Sequence, residues 1–229
     1  MDAIADELKD DPEILVAAVR LGFAERIKNT QAFFEPDNLA TLILKYEGRT
    51  ALLVIDTQRE FCDPKHPHKR GNEETVTVSE RIQSLVPEFR KANIPVYAVY
   101  SSRNGERPAA DIDFYKFAPR KEDILVAKDT DSAFWGSDIK EILEHDDKKL
   151  LLVCGFNQAA CVLSTVVDAR DLGFKVCLLE DLVGNDNRNR YCKDLATNQM
   201  KNAGTVMASS QAVLRNLRPL TACKSTPGI

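Results

Sequence analysis

The chain has 229 residues, 44% of them hydrophobic and 29% charged, with a formal net charge of −4. That length supports one large domain with a real core, alone or with an appendage. The acidic balance gives no electrostatic case for nucleic acid or an anionic membrane as a partner, and no apolar run approaches the roughly 18–20 residues of a membrane span.

The opening MDAIADELKDDPE is acidic and lacks the basic-then-apolar order of a secretory signal. Residues 13–27, EILVAAVRLGFAERI, repeat apolar side chains at helical spacing after Asp10, Asp11 and Pro12, and Phe33, Phe34, Leu39, Leu42, Ile43 and Leu44 predict a second short helix after Glu35-Pro36. Residues 1–48 therefore read as a helical extension packed on the main domain or on another subunit. A separate domain is not expected, because 48 residues make a marginal core alone.

From Thr50 onward, apolar runs alternate with helical patterns. Strands are predicted at ALLVID (51–56), IPVYAVYSS (94–102), ILVAK (124–128), KLLLVCGF (149–156), FKVCLLED (174–181) and TVMASS (205–210). Helices are predicted at 78–93, 137–146, 159–172 and 189–204, then at QAVLRNL, with Pro87 a potential kink in the first of these. The runs are continuously apolar, as in strands covered on both faces. Such alternation implies an α/β fold: three layers, α/β/α, with a doubly wound, mainly parallel six-stranded sheet over residues 49–217 and a tail at 218–229.

Cysteines stand at 62, 154, 161, 177, 192 and 223, with no CxxC pair and no zinc-type spacing to histidine. Free thiols, a reducing cytoplasmic compartment and no bound metal or other cofactor are the corresponding expectations.

Ligands of open parallel sheets bind outside the carboxyl ends of the strands. Asp56 ends ALLVI, Lys128 ends ILVA, and Cys161 follows LLLVCGF through a short turn, so a carboxylate, an ammonium and a thiol share one sheet edge. Each alone reads as ordinary: a turn residue, a solvated lysine, a small core side chain. Together they suit nucleophilic catalysis. A cysteine in the first helical turn feels the positive end of the dipole, which favours thiolate. Asp56 would take and return the proton, Lys128 would keep Asp56 ionised, and N–H groups of the turn would hold an oxyanion. Histidine is a poorer base here, since His66 and His68 lie in the loop KHPHKR (65–70), read as a solvated patch, and His145 ends an exposed helix.

These residues resemble the isochorismatase-like cysteine hydrolase superfamily, which includes nicotinamidases and N-carbamoylsarcosine amidases. ALLVIDTQREF, KDTDSAF and GFNQAACVLSTVVDARDLGFKV stand in the family's order. The resemblance implies Asp56, Lys128 and Cys161 as the catalytic triad, and a cis peptide at Phe156–Asn157 that aims the N–H groups of Asn157 and Cys161 at the oxyanion. It also implies a homo-oligomer. The family often places Thr and Asp shortly before the cysteine, where this chain has Gln158 and Ala159. The Asp-x-His metal motif of nicotinamidases is missing from VYSSRNGERP, which argues against that activity and against a metal. True isochorismatases lack the cysteine, so its retention points to amide-type chemistry.

The expected activity is hydrolysis of a small amide, ureide or carbamoyl compound through a thioester. Gln58, Phe61, Phe134 and Trp135 are the candidate substrate contacts, and Arg103, Asn104, Arg107, Arg188 and Arg190 are loop candidates for binding a carboxylate. Two alternatives are a non-catalytic interaction protein that retains the fold, and a redox sensor at Cys161, for which no resolving cysteine is evident.

Overall fold

Every residue of strand β1 (Thr50–Ile55) is buried, and the strand divides its side chains between two cores. Leu52 and Val54 pack into one hydrophobic cluster, with Ile82, Val86 and Phe89 of helix α3 (Glu73–Lys91). Leu53 and Ile55 pack into the other, with Leu143 of α4 (Ile139–His145), Val166 of α5 (Leu163–Asp171) and Met200 of α6 (Lys193–Asn202). A strand covered on both faces has no polar side, which is why the run reads as unbroken hydrophobicity.

This computed structural model describes residues 39–102 and 112–222, with side chains described through residue 217. The sheet is wholly parallel, in the order β3-β2-β1-β4-β5-β6. The other strands are β2 (Val96–Ser101), β3 (Ile124–Lys128), β4 (Leu150–Gly155), β5 (Lys175–Val183) and β6 (Val206–Ala208). The strand order reverses between β1 and β4, and loops leaving the two strands there diverge and open a crevice.

Helix α3 begins five residues before its predicted start. Asn72 forms a capping box with Thr75: its side chain accepts from the Thr75 N–H (2.9 Å), and its own N–H donates to the Thr75 hydroxyl (2.8 Å). The helix runs through Pro87 without a break. A four-residue helix, α2 (Arg59–Cys62), is too short for any periodicity to reveal. The predicted helix at 13–27 lies outside the described residues. Of the expected extension, α1 (Leu39–Lys45) is described, and its Leu42 and Ile43 are buried in the same cluster as Leu214 and Leu217 of α7 (Ser210–Ala222). That part belongs to the main core.

Candidate active site

Asp56 is the first residue beyond β1, fully buried, with φ of +50°. Aspartate tolerates this left-handed conformation better than most residues. Lys128 ends β3, two strands away. Neighbouring strands are about 4.8 Å apart, so the long lysine stem is what allows one ammonium to reach across β2. Its Nζ stops 2.9 Å from Asp56 Oδ2 and donates to the Thr130 carbonyl at 2.9 Å, while its side chain is 2% exposed. Among the described residues, neither Asp56 carboxylate oxygen accepts a well-aligned hydrogen bond. The carboxylate is held by charge and has proton-accepting capacity to spare.

Cys161 sits in the wide turn Gln158–Val162 that leads from β4 into α5. The Phe156 N–H donates to the Ile55 carbonyl (2.9 Å), the Phe156–Asn157 peptide is cis, and the Val162 N–H reaches back five residues to the Asn157 carbonyl (3.0 Å). The approach depends on Gly155, whose φ is +117° and where an added Cβ would stand 2.0 Å from the Ile55 carbonyl oxygen. A register shift against β5 between Val153 and Gly155 accompanies the bend.

The loop after β5 and helix α6 supply the bonding at the positions where Gln158 and Ala159 depart from the common pattern. Buried Asn185 accepts from the Ala159 N–H (2.9 Å), the Gly184 carbonyl accepts from the Gln158 N–H (2.9 Å), and the Gln158 side chain donates to the Thr197 hydroxyl (2.8 Å). Asn157 Oδ1 accepts from the Asp186 N–H (2.7 Å), whereas the Asn157 N–H has no acceptor among the described residues. Sequence reasoning missed Asn185 and Asp186, since nothing local links a loop after β5 to a turn after β4.

The charges of the site are coupled. Burial pushes the Asp56 carboxyl above its ordinary range, with Lys128 pulling the other way. Burial also works against the Lys128 charge, but Asp56 and the Cys161 sulfur outweigh it and hold the ammonium above its usual value. The Cys161 thiol is pushed up by burial first and then by Asp56, against Lys128, with Asp131 adding to the rise. Its Sγ lies 3.6 Å from Asp131 Oδ1 as a donor. Burial and the Asp56 and Asp131 carboxylates therefore oppose the thiolate that Lys128 favours. The same burial makes Asp56 a stronger base than an ordinary aspartate, which suits it to receive the thiol proton.

Asp56, Lys128 and Cys161 face one cavity of about 460 Å³. Phe61, Arg70 and Arg188 line it too, with Glu60, His68, Asp129 and Asp131. Three of the predicted contacts lie elsewhere. Gln58 is buried under the floor, where its amide accepts from the Ser101 N–H (2.7 Å) and donates to the Ser101 carbonyl (3.2 Å) and to Glu60 (3.3 Å), bracketing the ends of β1 and β2. Phe134 packs on Phe174, with ring centroids 5.7 Å apart. Trp135 is 67% exposed and lines a separate groove with Leu163 and Val167. Arg190 lies over the Tyr191 ring, and Arg103, Asn104 and Arg107 fall outside the described residues. Among the described residues no three His, Cys, Asp or Glu side chains are grouped as a metal site.

Residues 50–212 match the Isochorismatase domain family. Among curated proteins the chain is 29% identical over 143 residues to a secreted isochorismatase effector of Verticillium dahliae, a match covering 59% of this chain and 73% of that one. It is 24% identical over 163 residues to N-carbamoylsarcosine amidase of Arthrobacter, covering 61% of each. A solved cysteine hydrolase from Pseudomonas syringae pv. phaseolicola superposes with a TM-score of 0.64 at 21% identity, covering 81% of this chain and 96% of the other.

Proposed function

Because the chain belongs to the isochorismatase family, we propose that it is a cysteine-dependent hydrolase of a small amide, ureide or carbamoyl compound. The observation that carries this reading is a buried Asp56–Lys128 ion pair set against a thiol on the wall of one small cavity. The amidase name borne by the Arthrobacter relative points to the same bond class.

In the proposed cycle Asp56 takes the Cys161 proton as the sulfur attacks the carbonyl carbon. Negative charge moves to the carbonyl oxygen, where the unspent Asn157 N–H and the Cys161 N–H receive it. Asp56 then gives its proton to the leaving nitrogen, the C–N bond breaks, and a thioester remains. Water enters the place of the departed amine and loses a proton to Asp56 as it attacks. Collapse of the second tetrahedral species breaks the C–S bond, and Asp56 returns the proton to sulfur. Lys128 keeps Asp56 oriented throughout and stabilises the sulfur anion each time it forms. Buried thiols at Cys62, Cys154 and Cys177 suit a reducing cytoplasmic setting, and a homo-oligomer forms part of the same proposal.

The test is ammonia or amine release across a panel of small amides, ureides and carbamoyl compounds, with acyl-enzyme trapping followed by mass spectrometry. Turnover that disappears in Cys161→Ala, with an acyl adduct mapped to Cys161, supports the proposal. Turnover that survives the substitution overturns it. No turnover by either protein, together with binding of a protein partner by both, favours the interaction-protein alternative.

A further inference from the structure

Arg70 belongs to the loop patch KHPHKR, yet its guanidinium is on the cavity wall. Three contacts fix it there. Its Nε donates to Asp186 Oδ2 at 2.5 Å, its guanidinium carbon stands 4.4 Å from the Phe61 ring centroid, and its side chain is 18% exposed. Asp186 is fully buried and its other oxygen is already engaged, accepting from the Arg188 N–H (3.0 Å) and from the backbone and side-chain N–H groups of Asn189 (3.2 and 3.0 Å). The Asp186 N–H in turn holds Asn157 of the nucleophile turn. Arg70 is thus tied to the turn that carries Cys161.

Among the described residues nothing accepts from the two terminal nitrogens of Arg70. Resting on the hydrolase reading above, we propose that Arg70 is the specificity-determining residue of the site, and that the substrate is a small amide or ureide bearing a carboxylate, which the free end of this guanidinium receives.

Arginine presents a planar pair of donors that matches a carboxylate, and a pre-oriented fork loses little freedom on binding. The remaining charges agree with this orientation. Asp186 follows β5, so the Arg70 wall lies on that side of the crevice, joined by Arg188. Asp129 and Asp131 follow β3 on the opposite side, where the first accepts from the Ser102 hydroxyl and the second from the Cys161 thiol. Glu60 is occupied by Gln58, with His68 3.8 Å away. A substrate laid across the crevice meets cations at one end and carboxylates at the other, so its acid group is directed to Arg70 and its N–H groups to the β3 side.

Two matched pairs test this: N-carbamoylglycine against ethylurea, and succinamate against butyramide, each pair exchanging a carboxylate for a methyl group. The readout is the ratio of kcat/KM, acid over neutral, within one protein preparation, which does not depend on the fraction folded. Wild type is expected to prefer the acid. Arg70→Gln is expected to cut the ratio about 10–100-fold, chiefly through KM, while Arg70→Lys retains part of the preference and serves if the glutamine variant does not fold. Calorimetric binding of N-carbamoylglycine and succinamate to Cys161→Ala, with and without Arg70→Gln, reads the same contact without turnover. Arg70-dependent binding with no hydrolysis of any of the four compounds sinks the hydrolase reading and leaves the carboxylate site standing. A ratio unchanged by Arg70→Gln, or no Arg70-dependent binding of either acid, overturns the proposal.

Discussion

Lys128→Met removes the ammonium and keeps most of the stem's volume, leaving the Asp56 carboxylate buried with no countercharge. At 2.9 Å and an effective dielectric of about 20, the lost attraction is roughly 6 kcal/mol. Returning the lysine head to water recovers several kcal/mol of desolvation cost, so the pair as a whole contributes little net stability. Breaking it from one side is a different matter, with an expected cost of about 3–5 kcal/mol.

The cost must depend on pH. Asp56 has a folded-state pKa above its unfolded value, so its contribution to stability is fully present below the unfolded value and is lost as pH rises through the folded one. Without Lys128 that folded value rises further, and the variant's deficit should grow as pH rises between about pH 4.5 and about pH 8, the two values compared. Lys128 is itself held above its usual value and does not titrate in that window. Urea unfolding of wild type, Lys128→Met and the double variant Asp56→Asn/Lys128→Met at both pH values reads the effect as a change in midpoint at constant slope. The double variant should recover most of the loss at pH 8, within about 1–2 kcal/mol of wild type. A deficit that is the same at both pH values, or a double variant no better than the single one, would refute an uncompensated buried carboxylate as the cause.

Cys161→Ala should lower kcat by at least about 10⁴-fold while circular dichroism and the urea midpoint stay close to wild type, since only a small, nearly buried side chain is truncated. Iodoacetamide labelling of Cys161, followed by peptide mass mapping, should keep rising with pH beyond 9, because burial and the neighbouring carboxylates raise the thiol above its ordinary value; a plateau below about pH 7 would refute that direction. Gly155→Ala drives a Cβ into the Ile55 carbonyl and should cost more than about 4 kcal/mol or abolish soluble expression. Gly173→Ala, at φ +89° with nothing within 4 Å of the added carbon, should cost only about 1 kcal/mol. Equal losses at the two glycines in urea unfolding would show that backbone strain, and not the clash, governs Gly155.

The central strands were legible because they are buried on both faces, so hydrophobicity alone marks them, and the edge strand β3, though partly exposed, still falls on ILVAK as predicted. The convergence of Asp56, Lys128 and Cys161 on one cavity follows from a topological rule about strand ends and needs no knowledge of side-chain packing. What lay beyond reach was set by loops folding over that edge. Arg70 and His68 read as solvated because a basic loop gives no sign that Asp186, 116 residues later, will draw it inward. Gln58 read as a substrate contact from its nearness to Asp56, yet its amide is taken up by the Ser101 backbone at the end of β2 instead. Asp131 had a weak signal, an acid three residues after Lys128, but its approach to the sulfur depends on how the chain turns after β3.

The tie between Arg70 and Asp186 joins two loops that are distant in sequence, and it is not the only stitch. Asn187 donates to the Lys69 and Gly71 carbonyls (both 3.1 Å), and Asn72 donates to the Asn185 carbonyl (3.0 Å). The segments around 69–72 and 185–189 therefore form one structural unit. A relative that exchanged the first alone would strand the buried Asp186 carboxylate, and one that exchanged the second alone would leave Arg70 without its anchor, so lineages altering this wall should change both segments together. By the same logic, a graft meant to give the scaffold a new preference has to carry the two loops as a pair.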